Sequence, residues 1–370
     1  MQIDWCPVDR VPELQAFIDT HWRRGHILAR DADLLRWQYR HLDDSDHLSV
    51  LIAQEEERIL GFLGRIPVGF SYYGERLPAI WLAMWMVVPD VRSRFVGLGL
   101  LREINRHNFK IVGGLGLNEN TGTIFPNRGF EVYEIIPRWV RVMFPPDLER
   151  ILAQHPERYP SEAWKAWRRT AQSGVPPAVP TVRLVDWSED VANRWDRAWR
   201  ERFAPRLLGT WRDAEYLRWR YVDHPCFRYV LCFAENTANG ALVGLLVYRV
   251  ETVRNREEKV LRIVEFLSEE ASASTLVRAV LDAEEALNVA FADFYCTSEA
   301  FAEPLEAAGF MQEDRMPAPL PHLFQPLDFG RTQLNGAFWV NPTLADNSHT
   351  FFRTRSLYVT SSDGDQDRPN

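Results

Sequence analysis

The sequence is short of several things, and each shortage removes a class of protein. Only four cysteines, Cys6, Cys226, Cys232 and Cys296, are spread over 370 residues, with no C-x-x-C spacing and no partnered histidines. That spacing gives neither a disulfide framework nor a metal site, so the expectation is reduced thiols in a cytoplasmic protein without a metal. No window reaches 18 consecutive apolar residues, which excludes a membrane-spanning helix and leaves no expectation of membrane insertion. The opening MQIDWCPVDR has neither the basic start nor the apolar core of a secretory signal. Basic charge is scarce as well. With 43 lysines and arginines against 51 aspartates and glutamates the net charge is −8, which argues against nucleic acid as a partner.

What remains is the profile of a soluble globular protein, 46% apolar and 25% charged, long enough for two domains with substantial cores. Fourteen tryptophans are more than such a chain needs, and some are expected at a ligand site among others in the core. The organising stretch is Ile80–Leu101, IWLAMWMVVPDVRSRFVGLGLL. Its first nine residues are all apolar or aromatic, suited to a buried strand. Pro89 closes that strand because proline has no N–H for a ladder. A turn carrying Arg92, Arg94, Gly97 and Gly99 follows, and then a helix-like run, LLREINRHNF. Strand, basic glycine-containing turn and helix start together make an anion site: unpaired backbone N–H groups and the positive helix end face one spot. A Walker A loop would need Gly-Lys-Ser/Thr, and a Rossmann loop a third glycine where Arg102 stands.

The spacing Arg94-Phe95-Val96-Gly97-Leu98-Gly99, R-x-x-G-x-G, with Val87, Pro89 and Arg92 before it, resembles the acetyl-CoA motif of the GNAT superfamily of N-acyltransferases. The order of expected elements resembles the GNAT fold too. Helices are expected near 11–24 and from Asp31, strands at 48–54, 58–65, 66–73 and 77–88, and then the loop and its helix. A glycine-rich strand at 111–117, a short helix or loop from Asn118 to Asn127, Gly129-Phe130 and a last strand around 131–142 complete the series. The resemblance implies an α/β fold with a mixed sheet. Acyl-CoA is the implied cosubstrate, its diphosphate on the Arg92–Gly99 loop and its pantetheine arm along Met86, Val87 and Val88, whose backbone N–H groups would polarise the thioester.

The first half then recurs. Asp213-Ala-Glu-Tyr-Leu-Arg-Trp-Arg-Tyr221 matches Asp31-Ala-Asp-Leu-Leu-Arg-Trp-Gln-Tyr39, Gly244 matches Gly61, and Gly309-Phe310 matches Gly129-Phe130, at offsets of 182, 183 and 180. Two tandem domains of one fold are therefore expected. Where the anion loop should recur, near 270–279, the chain has no glycine, and Glu269 and Glu270 would repel a diphosphate. The second copy is read as lacking the CoA loop. The expected organisation is 1–145 for the acyl-CoA-binding domain, 146–180 for a Pro-rich linker with a short helix at Ser161–Thr170, 181–320 for the degenerate copy, and 321–370 for an irregular extension with an acidic motif.

The family often places a thiolate-protonating tyrosine four residues before Gly-Phe, where this sequence has Phe125. Asn118 and Asn120 are candidates for contacting pantetheine or the reacting amine, with a helix-cap role as the alternative. Asp363, Asp365 and Asp367 could bind an ammonium group, and Asp365 at their centre could take its proton; the alternatives are a frayed tail or an ordered structural one. A calcium loop lacks its bidentate glutamate. His26 is a further candidate base, and Trp37 is available to stack on an acceptor or to pack with Trp219. Taken whole, the chain resembles tandem-GNAT N-acyltransferases that acylate the amine of nucleotide-linked amino sugars in surface-polysaccharide biosynthesis. That implies a small-molecule amine acceptor and allows a homodimer. The rival readings are a FemAB-like aminoacyl or peptide transferase and a non-catalytic acyl-CoA-binding regulator.

Overall fold

A computed structural model describes residues 1–104, 109–159, 182–283, 288–316, 320–322, 333–344 and 355–367, leaving the side chains of residues 93, 120, 270 and 271 aside. The expected linker helix at 161–170 lies outside the described residues, as do Phe351 and Phe352.

The first half runs β1 (Gln2–Pro7), α1 (Val11–Phe17), α2 (Ile27–Arg30), α3 (Ala32–Gln38), β2 (His47–Glu55), β3 (Arg58–Tyr72) and β4 (Glu75–Val87). It continues through α4 (Val96–Ile104), β5 (Ile111–Leu115), α5 (Glu119–Ile124), β6 (Glu131–Tyr133), β7 (Arg138–Val142) and α6 (Pro145–Leu152). The second half runs β8 (Val182–Asp186), α7 (Glu189–Ala198), β9 (Leu208–Thr210), α8 (Ala214–Leu217), β10 (Val230–Asn236), β11 (Leu242–Thr252) and β12 (Lys259–Ser268). After it come α9 (Glu270–Asp282), β13 (Val289–Tyr295), α10 (Ala302–Ala307), β14 (Met311–Gln312), β15 (Gly336–Val340) and β16 (Leu357–Tyr358).

Local chemistry explains why the repeated stretches adopt one shape. Asp31 caps α3 by accepting the Leu34 N–H at 2.8 Å, and Asp213 caps α8 by accepting the Tyr216 N–H at 3.0 Å. Each Gly-Phe pair ends a short helix in the same way. Gly129 and Gly309 both have φ of +79°, a left-handed conformation that favours glycine, and Phe130 and Phe310 bond back to the carbonyls of Phe125 and Leu305. The hairpin from β3 to β4 turns through Tyr73 and Gly74, both at positive φ, which matches the twist of its strands. β3 is unbroken over its 15 residues where two separate strands were expected.

The two sheets have one pattern. In the first the order is β1-β2-β3-β4-β5-β15-β6; in the second it is β8-β10-β11-β12-β13-β7-β14. In each, the fourth and fifth strands are parallel and joined through a helix, and every other neighbouring pair is antiparallel. The sixth position is exchanged. β15, from the stretch expected to be irregular, inserts between β5 and β6, while β7, expected to finish the first copy, inserts between β13 and β14. The expected strand over 131–142 is thus two strands in different sheets. β9 adds a further link by pairing with both β3 and β16. The halves also meet symmetrically at the repeated helix: the Trp37 indole N–H donates to the Trp219 carbonyl at 3.0 Å, and the Trp219 N–H to the Trp37 carbonyl at 3.4 Å.

Glycine in β5 has a packing reason. Gly113 lies opposite Trp81 in the β4–β5 register, and a Cβ on it would sit 2.4 Å from the Trp81 ring. The strand is glycine-rich because that indole, 3% exposed, covers it. All four cysteines are free thiols. Among the described residues no helix is long and apolar enough to cross a membrane.

The exchange has a consequence for fragments. Residues 1–145 alone would lack β15 and leave β5 and β6 unjoined, and 146–370 alone would lack β7. Expressed separately, neither fragment should give a cooperative thermal transition, whereas co-expression should yield a folded complex. Independent folding of either fragment, read by circular dichroism, would contradict this.

Candidate active site

The site is a fork between two parallel strands. β4 and β5 pair from Ala79–Ile111 to Leu82–Gly114, and after that β4 stays on β3 while β5 diverges. At the branch the β3–β4 ladder slips by one residue, leaving Met84 without a cross-strand partner and with φ of +59°. The fork opens into a solvent-open groove with a cavity volume of about 130 Å³. Its apolar walls come from Leu82, Met84, Leu115, Leu117 and Phe125, and its polar lining from His26, Asn118 and Asp365.

The basic loop lies at the outer end of β4. Pro89–Arg94 form a 3₁₀ turn, Phe95 takes φ of +58°, and α4 begins at Val96. The first N–H to bond back into the helix is that of Gly99, to the Phe95 carbonyl at 3.0 Å. Helix geometry therefore leaves the N–H groups of Val96, Gly97 and Leu98 outside the ladder, on the positive end of the helix. Gly97 lets that end sit close to the strand: a Cβ there would be 3.2 Å from Trp85 Cζ2 and 3.4 Å from Val87 Cγ2. The Trp85 indole N–H, beside Gly97, is buried without a hydrogen-bond partner. Arg94 forms an exposed two-pronged pair with Glu55, at 3.0 and 2.6 Å, and Arg92 reaches the Val87 carbonyl at 3.4 Å. These arginines flank the helix end, and Phe95 beside them is 71% exposed.

Along the strand the expected backbone donors divide. The Val88 N–H is committed to the Leu60 carbonyl at 2.9 Å, so Val88 does not serve the groove. Donors alternate along an antiparallel strand, which turns the Val87 N–H away from β3, toward the fork. Met86 stays in register with Phe62. Asn118 lines the groove and caps α5 as well, its Oδ1 accepting the Thr121 N–H at 3.0 Å. The side chain of Asn120 lies outside the described residues. Phe125 is buried and stacked between Trp85 and Phe130, with centroids 5.9 and 4.5 Å away and planes at 19°. His26 caps α2 through Nδ1, which accepts the Leu28 N–H at 3.2 Å. The neutral ring therefore carries its proton on Nε2, so His26 is a donor there rather than the base the sequence suggested.

The acidic motif separates into three roles. Asp363 is fully buried and is not placed to bind substrate: its carboxylate accepts from Arg212 Nη2 at 2.7 Å, from the Thr360 N–H at 2.9 Å and from the Thr210 hydroxyl. Asp367 is equally buried and pairs with Arg220 and with the Tyr229 hydroxyl, the latter at 2.7 Å. Burial opposes its charge, but Arg220 and Arg249 outweigh that and hold its carboxyl down to about 2. Between these anchors Asp365 reaches the groove, with Gln366 Nε2 donating to its Oδ1 at 2.7 Å. On its other side a smaller cavity is lined by Trp37, Trp219, Gln38 and His224. Trp37 packs against Trp219, with ring centroids 5.3 Å apart and planes tilted by 30°.

Sequence reasoning missed the residues that grip the motif: Arg212, Arg220, Glu265 and Tyr229. One signal was present. The repeated helix has Gln38 in the first copy where the second has Arg220, a difference that coincides with the tail's partner. No group of three or more metal-ligating side chains occurs among the described residues.

In the second copy the loop carries no such site. Glu269 precedes α9 and pairs with Arg202 at 2.6 Å, placing a carboxylate beside the start of that helix.

The sheet order, the branch between the fourth and fifth strands and the loop–helix after it can be compared with solved structures. A GCN5-related N-acetyltransferase from Anabaena variabilis matches over 92% of this chain and 72% of its own, with a TM-score of 0.60 and 11% identity. This is a tandem GNAT fold. A GCN5-related N-acetyltransferase from Kribbella flavida matches over 92% and 70%, with a TM-score of 0.57 and 14% identity. The N-myristoyltransferase of Saccharomyces cerevisiae with bound myristoyl-CoA matches over 91% and 79%, with a TM-score of 0.52 and 12% identity. No sequence profile of a known family matches the chain, and no curated protein matches it in sequence. The second GNAT-like unit keeps the strands of the first and lacks its loop.

The buried Asp367 gives a signed pH dependence. Its folded value of about 2 lies below the ~3.9 of an unfolded aspartate, so between the two the unfolded chain binds the extra proton. The stability this carboxylate contributes is present above about pH 4 and lost as pH falls toward 2. Asp367→Asn should flatten the acid limb of the stability curve in that window by about one proton, measured by urea unfolding at stepped pH. An unchanged slope would mean that Asp367 is not held ionised.

Proposed function

We propose that the protein is an acyl-CoA-dependent N-acyltransferase acting on the amine of a small acceptor, and that a nucleotide-linked amino sugar is that acceptor. The observation that carries the reading is the fork itself: a carboxylate, Asp365, lines the groove at the branch together with Trp85, and β4 leads on from there to the amides and arginines at the start of α4. The amides of Val96, Gly97 and Leu98 suit a diphosphate, and Gly97 permits its close approach. Arg92 and Arg94 stand ready to neutralise it once Arg94 leaves Glu55. The unpaired Trp85 N–H supplies another donor beside the same helix end. Acyl-CoA brings the activated thioester. The N-myristoyltransferase of the same fold, solved with myristoyl-CoA, supports a CoA thioester in this architecture.

The chain's own groups then divide the work. The Val87 N–H, facing the fork, stabilises the negative charge that builds on the thioester oxygen, an effect of ~3 kcal/mol for such a donor. Asp365 attracts the incoming ammonium and takes a proton from it, so the neutral nitrogen forms the C–N bond as the C–S bond breaks and then gives its second proton to solvent. The thiolate departs beside Phe125 and is protonated by solvent. The amino-sugar acceptor rests on the likeness of the whole architecture and its acidic end.

Calorimetry with CoA should give one site per chain, because the second copy has a carboxylate, Glu269, before its helix in place of the basic glycine loop. Arg94→Glu should weaken that binding by about thirtyfold or more, the scale of losing a charged partner. Glu55→Gln, which releases Arg94, should leave it unchanged or tighter. Two sites per chain would refute the assignment of the loops.

Turnover is tested through Asp365. With an amine acceptor, Asp365→Asn should lower kcat/KM by about a hundredfold, as loss of a general base does, with acyl-CoA affinity nearly unchanged. Wild-type turnover in this variant would remove Asp365 from the mechanism. Tight acyl-CoA binding without CoA release on any amine would favour a regulator.

A further inference from the structure

The second unit has a fork of its own, and it is filled. β12 and β13 pair as far as Ile263–Phe294, and the β11–β12 ladder slips at Val264, 180 residues after the slip at Met84. Beyond that point the C-terminal segment takes the space. The Phe266 N–H donates to the Tyr358 hydroxyl at 2.8 Å, the Thr297 N–H to the Val359 carbonyl at 3.1 Å, and Thr360 bridges Cys296. Ser362 Oγ reaches the carbonyl of the slipped residue, Val264, at 3.3 Å. Phe301 packs between Phe266 and Tyr358, with centroids 5.4 and 5.7 Å away.

From this seat the chain turns through 360–367, gripped on both sides of Asp365. Arg212 holds Asp363 while its Nε is fixed by Glu265 at 2.7 Å. Arg220 holds Asp367 and donates to the Ser362 carbonyl at 3.3 and 3.1 Å, while Arg249 donates to the Asp367 carbonyl. Gly364, at φ of +76°, makes the turn beside Trp81; a Cβ on it would lie 3.8 Å from the Trp81 Cβ. Both Arg212 and Glu265 are 0% exposed, so the grip is made in a low-dielectric interior where geometry is tightly determined.

We propose that the second unit is a holder for the first unit's active site: its fork and its arginines seat the C-terminal strap so that Asp365, alone of the three acids, projects into the acyl-transfer groove. Arg220 and Tyr229 are positioning residues that act through Asp365. This explains why the second unit keeps the fold without the loop. Its fork is taken by its own chain, so a free anion site beside it would have nothing to serve. The inference rests on the base role proposed above for Asp365.

The test is a double-mutant cycle in the full-length protein, with CoA release on an amine as readout. Arg220→Lys keeps the charge and loses the two-point grip; Tyr229→Phe removes only the hydroxyl on Asp367. Each should lower kcat about tenfold, with acyl-CoA Kd within about twofold of wild type. In an Asp365→Asn background neither should cost anything more, because the group they position is gone. Equal loss in both backgrounds would overturn the proposal, since that is what damage to the fold alone produces. Wild-type kcat in the variants would overturn it too. If Arg220→Lys does not fold, Tyr229→Phe carries the cycle by itself. Should Asp365→Asn alone turn over normally, the base assignment fails first, and the cycle separates that failure from this one.

Discussion

The structure depends on a buried ion cluster. Arg212 lies between Glu265 and Asp363, all three without exposed surface, and burial opposes charge on each. A single unpaired charge in such a place costs several kcal/mol. Here the demand is met by completeness: Tyr221, Tyr358 and Ser362 donate to or share Glu265, while Thr210 and the Thr360 N–H complete Asp363. Burial pushes the Glu265 carboxyl up, and Arg212 beside it pulls the other way. A cluster of this kind adds little net stability compared with an apolar core. Its value is registration, because only one placement of residues 360–367 satisfies all the partners.

Registration matters because the two units are not separable modules. Each sheet receives its sixth strand from the other half, and β9 and β16 bind the strap to β3. The Trp81 indole joins these layers: it covers Gly113 in the fork and donates to Thr210, which in turn donates to Asp363. A hydrogen-bonded line thus runs from the root of the groove to the ion cluster. Displacement of the strap disturbs both ends of it.

The sequence displayed the periodic features and concealed the exchanged ones. The strand–loop–helix from Ile80 was legible because an apolar run, a proline and two glycines each have a local physical meaning. The repeat was legible because the Asp caps and Gly-Phe turns are set by side chains within a few residues. β7 and β15 could not be assigned to their sheets, since RWVRV and GAFWV are short strand-forming stretches whose residues carry no local mark of the strands they pair with. The fates of Asp363 and Asp367 were hidden for a similar reason. An acidic, glycine-containing C-terminal motif reads as solvent-exposed unless its partners are known, and those partners lie some 140 to 150 residues earlier. Val88 and His26 were decided by single backbone hydrogen bonds that no pattern announces.

Under the proposed acyl transfer, with Asp365 as its base, Phe125 becomes intelligible. An ammonium group must lose a proton before its nitrogen can attack, so a base is indispensable. An alkyl thiol ionises near 8.5, close enough to neutrality for its thiolate to leave without an acid. The two proton transfers are therefore unequal in difficulty, and the chain invests in the harder one. Asp365 is held between Asp363 and Asp367 by a cluster drawn from the second unit, whereas position 125 is given to an aromatic ring stacked on Trp85 and Phe130. That stack gives the groove an apolar wall on the side where an acid would otherwise stand, and the thiolate's proton is left to solvent.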